Sequence, residues 1–472
     1  MYSFVIRCWL VLALAGTGAI FASAEVIRLK SGDVIYVDSI KEGADKVEYA
    51  IGDDTYAIPR SRVQSIEGGV RPQPAPSQNQ PEISSYTPDT RMAGEGPVLE
   101  KIVHNGNVDR VALEAIASQH DAPQTAMAFY LAGKLDYLAG NYSDSRRDFE
   151  RSLENDPENP AILNYYAALL IRTGNSRQAI PYAERAVRLA PDSPDALAVL
   201  GYAQYAADRA KDAIQSWKRS LTLRPDASIV LVIARAEREA SAESSYSERE
   251  TGHFVLRYEG AQSSNTFRSQ LLSALESDYQ ELSQEFGGEP RSSIQVILYT
   301  NQAFFDVTQQ PSWVGALNDG KLRIPLQGLD SVTPTLLRVL KHELTHSFVN
   351  QLSMGRCPHW LNEGIAQMME PRLVARPTQL AQLFQLQQEV PLYALEGGFS
   401  SLTEMQAALA YDESLASVLY IRDRYGMSDV LHILERLGHG DSTEAALRST
   451  IHCDYRQLQD EIRADLARHS GR

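Results

Sequence analysis

The sequence predicts a multidomain chain: a small all-β N-terminal domain, then an all-α array of helical repeats, then an α+β domain. Three patterns follow one another along its 472 residues and support this order. Short alternating apolar segments come first, a repeat with a period of 34 residues comes next, and short apolar strands that give way to helices come last. A chain of this length usually exceeds one hydrophobic core, so several domains are expected.

Residues 1–24 have the pattern of a secretory signal peptide. Arg7 provides a short basic start, an apolar run begins at Trp9, and Ala22-Ser23-Ala24 offers a small-residue cleavage site. A retained membrane anchor is the alternative, because the run is nearly long enough to span a bilayer, but Gly16-Thr17-Gly18 interrupts it. We therefore expect an exported protein, either periplasmic or secreted.

The acidic balance and the few cysteines limit the partners and cross-links of the mature chain. The formal net charge is −15, so nucleic-acid phosphates and anionic membrane surfaces should be repelled. No later stretch approaches the roughly 18 apolar residues that a membrane-spanning helix needs. Cys8 lies in the predicted signal, and the sequence leaves open whether the remaining Cys357 and Cys453 form a disulfide.

Residues 25–69 predict a small β-sheet or barrel of four or five strands. Alternating segments include 34–37 and 46–49, and turn sequences at 31–33 and 52–54 break the alternation before the first and after the second. Residues 70–98 contain six prolines and are rich in Gln, Ser and Gly. Such a segment buries too little apolar surface to fold, so we expect a linker there.

Residues 126–159, 160–193 and 194–227 align without gaps as three copies of one helical pair. Small residues recur where the two helices of a pair should cross, and a proline stops the second helix of each copy. These positions are Gly133, Ala167 and Gly201 in the first helices, Ser145, Ala179 and Ala213 in the second, and Pro157, Pro191 and Pro225 at the ends. The turn between the helices carries Gly140, Gly174 and, in the third copy, Asp208.

This array resembles the tetratricopeptide repeat. Three copies suffice for a stable stack, and helices at about 99–120 and 227–245 should cap it, which gives a repeat domain over 99–248. The resemblance implies a concave surface that binds a protein or peptide partner. A spacer that only positions the last domain is the alternative.

The last domain, residues 249–472, should be α+β. Strands are expected at 254–258, 294–299 and 321–325, with a helix over 264–286 and helices throughout from 333 onward. Thr333 and Pro334 supply a capping hydroxyl and a first-turn proline, so a helix should begin there and end near Gly355.

That helix contains His342-Glu343-Leu344-Thr345-His346. Histidines four residues apart lie one helical turn from each other, so both rings can reach one metal ion, and Glu343 can accept a proton from a metal-bound water. After 16 intervening residues Glu363 follows, and a carboxylate is an acceptable third ligand for catalytic zinc. Two histidines, a base and a spaced glutamate constitute a complete site.

At these residues the chain resembles the gluzincin metallopeptidases, in particular the peptidase MA-like group. HELTH at 342–346 matches the first motif of that family, and WLNEGIA at 360–366 matches the segment with the third ligand. The resemblance extends loosely over about 250–465. It implies one zinc ion per chain held by His342, His346 and Glu363, with Glu343 as general base and peptides or proteins as substrates.

The resemblance also suggests finer features. Gluzincin aminopeptidases carry a further glutamate where residues 314–318 contain no acid, so an endopeptidase is the better expectation. Gln367 stands where thermolysin-like relatives place an aspartate that orients a histidine, and it could act as a neutral replacement. Residues 321–325 should form the edge strand that pairs with an extended substrate. Tyr411 resembles the tyrosine that stabilises the oxyanion, with Tyr420 as a competitor and a packing role as the alternative.

Other functions are compatible with the sequence. The chain could be an exported adaptor in which the repeats act and the peptidase domain is weak or inactive, although all four site residues are present. A zinc hydrolase of a non-peptide amide, such as a cell-wall bond, would carry the same site. His359, beside the motif, is expected to have a structural role.

Overall fold

The computed structural model describes residues 23–470 except 52–53, 71–85, 105–106, 310–315, 371–377, 387–388, 400–401 and 403. Most of the predicted signal peptide and the first half of the predicted linker lie outside the described residues. The fold class agrees with the prediction: strands first, paired helices second, and a mixed sheet with helices third. Within the described ranges, no helix is long and apolar enough to cross a membrane.

The N-terminal unit has six strands in its described part, more than the four or five predicted. They are β1 (Ser23–Leu29), β2 (Val34–Val37), β3 (Ser39–Glu42), β4 (Lys46–Ile51), β5 (Asp54–Pro59) and β6 (Val63–Val70). They form two antiparallel sheets with the orders β2-β1-β6 and β3-β4-β5. The four residues of β3 bury none of their side chains fully, so this strand lacks the alternation that marks the others.

The central region consists of paired helices with short flanking elements. The flanking elements are α1 (Glu95–Ile102), a hairpin of β7 (Val103–His104) and β8 (Asn107–Val108), α2 (Arg110–Ala117) and, at the other end, α9 (Ala227–Ala242). The first pair is α3 (Ala122–Ala139) with α4 (Tyr142–Asn155), the second is α5 (Pro160–Arg172) with α6 (Ser176–Leu189), and the third is α7 (Pro194–Ala206) with α8 (Ala210–Leu223). A Cβ at Gly133 would lie 2.9 Å from the Phe149 ring, and one at Gly201 would lie 2.4 Å from the Trp217 ring. The paired helices therefore cross too closely for a larger residue.

The C-terminal region contains a five-stranded mixed sheet, as far as the described residues show, and a series of helices. The strands are β9 (Ser247–Glu250), β10 (Phe254–Tyr258), β11 (Ile294–Tyr299), β12 (Leu317–Asn318) and β13 (Leu322–Pro325). The helices are α10 (Asn265–Phe286), α11 (Asn301–Thr308), α12 (Pro334–Ser353), α13 (His359–Met369), α14 (Thr378–Gln385), α15 (Glu404–Tyr425), α16 (Met427–Gly438), α17 (Thr443–Ile451) and α18 (Tyr455–Ser470). Cys357 and Cys453 are both free thiols.

The strand order β12-β13-β11-β10-β9 corrects one prediction. Residues 321–325 were expected at the edge of the sheet, but β13 pairs with β11 on one side and with β12 on the other. The edge strand is β12, which contains only two residues. So short a strand has no periodicity by which a sequence pattern could reveal it.

The N-terminal strands and the C-terminal domain share one hydrophobic core, although the repeats separate them in sequence. A Cβ at Gly328 would lie 2.9 Å from Leu29 and 3.0 Å from Ile35, so the loop after β13 packs directly on the first strands. Arg62 donates a hydrogen bond of 2.7 Å to the carbonyl of Gly328, and Tyr49 donates one to the carbonyl of Gln327. Residues 25–69 are therefore part of the C-terminal body in space.

Buried ion pairs join the repeats to the sheet. Glu239 of α9 is 2% exposed and accepts a hydrogen bond of 2.8 Å from Arg323 of β13. Asp208 forms ion pairs of 2.8 Å with Lys321 and 2.9 Å with Arg257. Its φ of 65° is a left-handed conformation that aspartate tolerates, so the third copy keeps the turn and gains a carboxylate for the interface.

Candidate metal centre

The centre begins with the well-defined ends of α12. The hydroxyl of Thr333 accepts a hydrogen bond of 3.2 Å from the backbone N–H of Leu336, and Pro334 occupies the first turn. Met354, with a φ of 50°, ends the helix next to the predicted Gly355. Between these ends, His342 and His346 lie on one face because they are four residues apart.

The side chains of the motif converge. The ring centroids of His342 and His346 are 4.9 Å apart, with an angle of 85° between the ring planes. One potential ligand atom from each of His342, Glu343 and His346 lies within 4.8 Å of the others. From α13, the Glu363 carboxylate comes within 3.4 Å of His342 Nε2 and within 3.8 Å of His346 Nε2. The helix packing thus brings the two histidines and the distant glutamate to one point.

The arrangement fits a tetrahedral metal ion. Zinc with ligand bonds of about 2.0–2.1 Å separates its ligand atoms by roughly 3.3 Å. The other ring nitrogens are engaged: His342 Nδ1 lies 2.8 Å from Glu370 Oε1, and His346 Nδ1 lies 2.9 Å from Asn362 Oδ1. Both Nδ1 atoms therefore carry the proton when the rings are neutral, which leaves both Nε2 atoms free to bind a metal.

Glu370 is the residue that sequence reasoning missed. Gln367 was considered as the group that orients a histidine, but its Nε2 donates a hydrogen bond of 3.0 Å to the backbone carbonyl of Tyr411. The acid beside His342 is instead Glu370, the extended residue that directly follows α13 and lies seven positions after Glu363. The only sequence signal for it is an acid a few residues beyond the segment that carries the third ligand.

A salt-bridge chain supports Glu370 from behind. Its second carboxylate oxygen accepts a hydrogen bond of 2.7 Å from Arg338 of α12. Arg338 also pairs with Asp54, at the start of β5. Asp54, Arg338, Glu370 and His342 thus connect the N-terminal strands to the metal centre through ionic contacts.

The charged groups of the centre shift one another's pKa values. Burial alone would raise the pKa of Glu363, but His346 and His342 hold it at about 2. Burial alone would lower the pKa of His342, but hydrogen bonds to Glu363 and Glu370 raise it to about 10. The carboxylates of Glu363, Glu370 and Glu343 thus surround His342 with the negative charge that favours a bound cation.

The pKa of Glu343 is shifted in the opposite direction from that of Glu363. Its burial raises the pKa of the carboxyl, and the two histidines only partly offset this. Asn318 of the edge strand β12 donates hydrogen bonds of 2.7 Å to the backbone carbonyl of Glu343 and to the hydroxyl of Ser347. The edge of the sheet is therefore tied to the helix that carries the motif.

The remaining candidates, Tyr411, Tyr420 and His359, differ in the groups that surround them. Tyr411 is 38% exposed as a residue, and its pKa is raised first by partial burial and then by the charges of Glu363 and Glu343. Tyr420 is buried, and its hydroxyl donates a hydrogen bond of 2.8 Å to Glu461. His359 lies 3.7 Å from Glu363 and packs edge-on against Phe399, with ring centroids 4.4 Å apart. Of the two tyrosines, Tyr411 is the one on which the charges of Glu363 and Glu343 act, and its ring packs against Phe399 with centroids 5.1 Å apart.

Comparison with known proteins identifies two regions. A family model of the Peptidase MA superfamily matches residues 276–468. Two models of the tetratricopeptide repeat match residues 167–228 and 149–180. No curated protein matches the chain.

Several solved structures match about a quarter of the chain, with low TM-scores. The first TPR of Spaghetti (RPAP3) bound to the HSP90 peptide SRMEEVD is 20% identical, covers 25% of this chain and 94% of its own, and has a TM-score of 0.25. The first TPR domain of human RPAP3 is 23% identical, covers 26% of this chain and 99% of its own, and has a TM-score of 0.25. MamA from Desulfovibrio magneticus RS-1 is 18% identical, covers 28% of this chain and 73% of its own, and has a TM-score of 0.26. The family matches are the informative ones: the chain contains a Peptidase MA superfamily domain over residues 276–468, preceded by tetratricopeptide repeats within 149–228.

Proposed function

We propose that the chain is a zinc-dependent endopeptidase whose repeats bind a protein partner or the substrate. The main support is the approach of the Glu363 carboxylate to His342 Nε2 at 3.4 Å and His346 Nε2 at 3.8 Å, while the Nδ1 atom of each ring is bonded elsewhere. Three ligands of this kind with an open fourth position are typical of catalytic zinc.

The residues divide the chemistry among themselves. His342, His346 and Glu363 would hold one zinc ion, whose Lewis acidity would polarise a scissile carbonyl and acidify water. Glu343 accepts the proton of the attacking water and returns it to the leaving amine, and its burial strengthens it as a base. Tyr411 donates its hydroxyl proton in a hydrogen bond to the developing oxyanion.

The substrate would bind as an extended strand. The edge strand β12 (Leu317–Asn318) is fixed to the backbone of Glu343 through Asn318, so a peptide paired with this edge would pass the base. Such pairing uses backbone hydrogen bonds and is indifferent to most side chains. The absence of an acid from 314–318 supports cleavage within a chain over removal of its N-terminal residue.

Export is a separate part of the proposal. It rests on the signal-like pattern of residues 1–24, which predicts a periplasmic or secreted location. Fractionation of cells that express the full chain tests this, together with the N-terminal sequence of the mature protein. A product that keeps residue 1 and stays in the cytoplasm would contradict export without affecting the chemistry.

Metal content is the first test of the chemistry. The purified protein should contain one zinc per chain, and Glu363→Ala should lose it, whereas His359→Ala should keep it because His359 is not a proposed ligand. A screen of peptides and of non-peptide amides then identifies the bond that is cleaved. Absence of zinc from the wild type after reconstitution would overturn the proposal, and cleavage of non-peptide amides alone would establish the alternative hydrolase.

A further inference from the structure

A short segment of the chain lies on the repeats where a partner would be expected. Residues 86–92, here called the docked segment, precede α1 and have no regular secondary structure. The sequence predicted that 70–98 is a linker without a core. The described part differs from this prediction, because the docked segment contacts the first helices of all three repeats, α3, α5 and α7.

Three tyrosines bind the backbone of the docked segment. The hydroxyl of Tyr137 donates to the carbonyl of Tyr86 at 3.1 Å, that of Tyr165 donates to the carbonyl of Pro88 at 2.6 Å, and that of Tyr130 donates to the carbonyl of Thr90 at 2.9 Å. The acceptors are every second residue, which is the spacing of an extended peptide. Recognition of this kind depends on the backbone and leaves the side chains free to provide specificity.

Side chains of the docked segment occupy defined positions. The Tyr86 ring stacks on Tyr202 with centroids 4.7 Å apart, and its hydroxyl donates to Asp195 at 3.0 Å. The hydroxyl of Thr90 accepts a hydrogen bond of 3.0 Å from Asn164. Pro88 is buried, whereas Thr87 is exposed. An aromatic residue, a proline and a threonine, spaced by two, thus face the repeats.

The contacts with the docked segment come from one set of helices in the repeats. All of these donors and acceptors belong to α3, α5 or α7, the first helix of each pair. Stacked repeats of this type form an extended concave binding surface. The docked segment therefore occupies a peptide-binding surface from within the same chain.

The docked segment fills this surface incompletely. A cavity of about 410 Å³ lies beside it, lined by Thr90 to Ala93 on one side and by residues of α5 and α7, including Asn164, on the other. Asn164 is 1% exposed, and its Oδ1 accepts no hydrogen bond from any described residue. A peptide that supplied a donor to this oxygen and filled the cavity would bind more tightly than the docked segment.

We propose that the face of α3, α5 and α7 binds extended peptides with an aromatic residue, a proline two positions later and a serine or threonine two positions after that, and that residues 86–92 are a built-in competitor for it. The proposal specifies the partner binding suggested above for the repeats and does not depend on peptidase activity. A partner binds by displacing the docked segment.

The tether determines how strong this competition is. The docked segment continues directly into α1, so its effective concentration at the surface is of the order of millimolar. An outside peptide with a dissociation constant of tens of micromolar for the vacant surface should therefore bind the wild type roughly tenfold or more weakly.

The test measures binding of a fluorescent peptide with the sequence of residues 84–93 to the full chain by anisotropy, with a chelator present so that no hydrolysis occurs. Tyr86→Ala should raise the affinity for this peptide by roughly tenfold or more, because the competitor is weakened. Tyr86→Phe, which keeps the stacking ring but loses the bond to Asp195, should give a smaller gain. Thr87→Ala, at an exposed position of the docked segment, should match the wild type.

Two further measurements locate the binding. The same peptide with alanine in place of its tyrosine should bind all variants weakly. Adding Asn164→Ala to Tyr86→Ala should lower the affinity severalfold, since the hydrogen bond to the threonine is lost.

Equal affinity of wild type and both Tyr86 variants for the peptide would overturn the proposal and make residues 86–92 a fixed part of the fold. Undiminished affinity after Asn164→Ala would also overturn it, because the peptide would then bind elsewhere.

Discussion

Glu343 lies beside both histidines and Glu370 bonds to Nδ1 of His342, so the two carboxylates should have separable effects. Glu343→Gln removes a base but no ligand, so zinc should stay bound while the hydrolysis rate falls by about 10²–10⁴-fold. Metal analysis and single-turnover cleavage of a peptide substrate measure the two quantities on the same sample. A variant that retained the full rate would show that Glu343 is not the base.

Glu370→Gln should affect the metal first. The carboxylate at 2.8 Å from His342 Nδ1 fixes the ring and makes Nε2 a better ligand, so its loss should weaken zinc binding by roughly 10–100-fold. Competition with a chromophoric chelator gives the affinity. Glu461→Gln is the matched control, because this acid is bonded to Tyr420 and not to a metal-binding histidine. Equal affinities of the two variants would remove Glu370 from the orienting role.

Glu413 is a buried acid whose protonation should govern stability against pH. Burial raises its pKa to about 8, and one of its oxygens accepts a hydrogen bond of 3.1 Å from the backbone N–H of Val390. The pKa of Glu413 is higher in the folded state than in the unfolded state. Its contribution to the unfolding free energy is therefore fully present below about pH 4.5 and is lost as the pH rises through about 8. At about 1.36 kcal/mol per pKa unit, the loss amounts to a few kcal/mol.

Glu413→Gln keeps the acceptor oxygen and removes the titration. Urea unfolding of both proteins between pH 5 and pH 9 should show a smaller decline of the unfolding free energy for the variant. Parallel declines would mean that Glu413 titrates normally. The proposed site residues differ from Glu413 in what the sequence reveals: the motif spacing predicts His342, Glu343, His346 and Glu363, whereas the environments of Glu370 and Glu413 depend on which helices pack together.

At the scale of elements, the contact between α13 and α15 keeps Glu363 in place. A Cβ at Gly364 would lie 2.4 Å from the backbone carbonyl of Ser414 and 2.6 Å from Val418. Gly364→Ala should therefore push the two helices apart, lower stability by about 1–3 kcal/mol and weaken zinc binding. Gly96→Ala, where a Cβ on α1 would meet nothing within 4 Å, should be neutral or slightly stabilising. Thermal unfolding and zinc titration of both variants distinguish steric displacement from a general effect of alanine.

Elements with their own periodicity were predicted well, and elements defined by pairing were not. The strands β10 and β11 have the bounds expected from their apolar runs, 254–258 and 294–299, and α12 begins at the expected proline. The two-residue strand β12 exists only because Leu317 and Asn318 pair with β13. The sequence predicts a linker at the docked segment because its prolines and polar residues carry no apolar pattern. In the structure its backbone carbonyls accept hydrogen bonds from tyrosines of the repeats.

At the scale of the whole molecule, the order of domains in the sequence differs from their order in space. The chain forms β1 to β6, passes through the repeats, and then returns so that the loop after β13 packs on β1 and β2. Ion pairs of Glu239 and Asp208 fix the repeats against the same sheet. Neither contact is visible in sequence, because each joins residues about 80 or more positions apart in the chain.

Because the first strands and the C-terminal domain share one core, a substitution that destabilises the first strands should also destabilise the helix that carries the metal centre. Ile35 of β2 is fully buried and touches the Gly328 loop, so Ile35→Ala should lower the unfolding free energy by about 2–5 kcal/mol. If the strands and the C-terminal domain unfold as one unit, the backbone amides of α12 should lose hydrogen-exchange protection by the same factor as those of β1, at about tenfold per 1.4 kcal/mol. Val111→Ala, at a position 81% exposed, should change neither the unfolding free energy nor the hydrogen-exchange protection of α12. Protection of α12 that survived Ile35→Ala would mean that the two regions unfold independently, and the ionic path from Asp54 to Glu370 would then join two separable units.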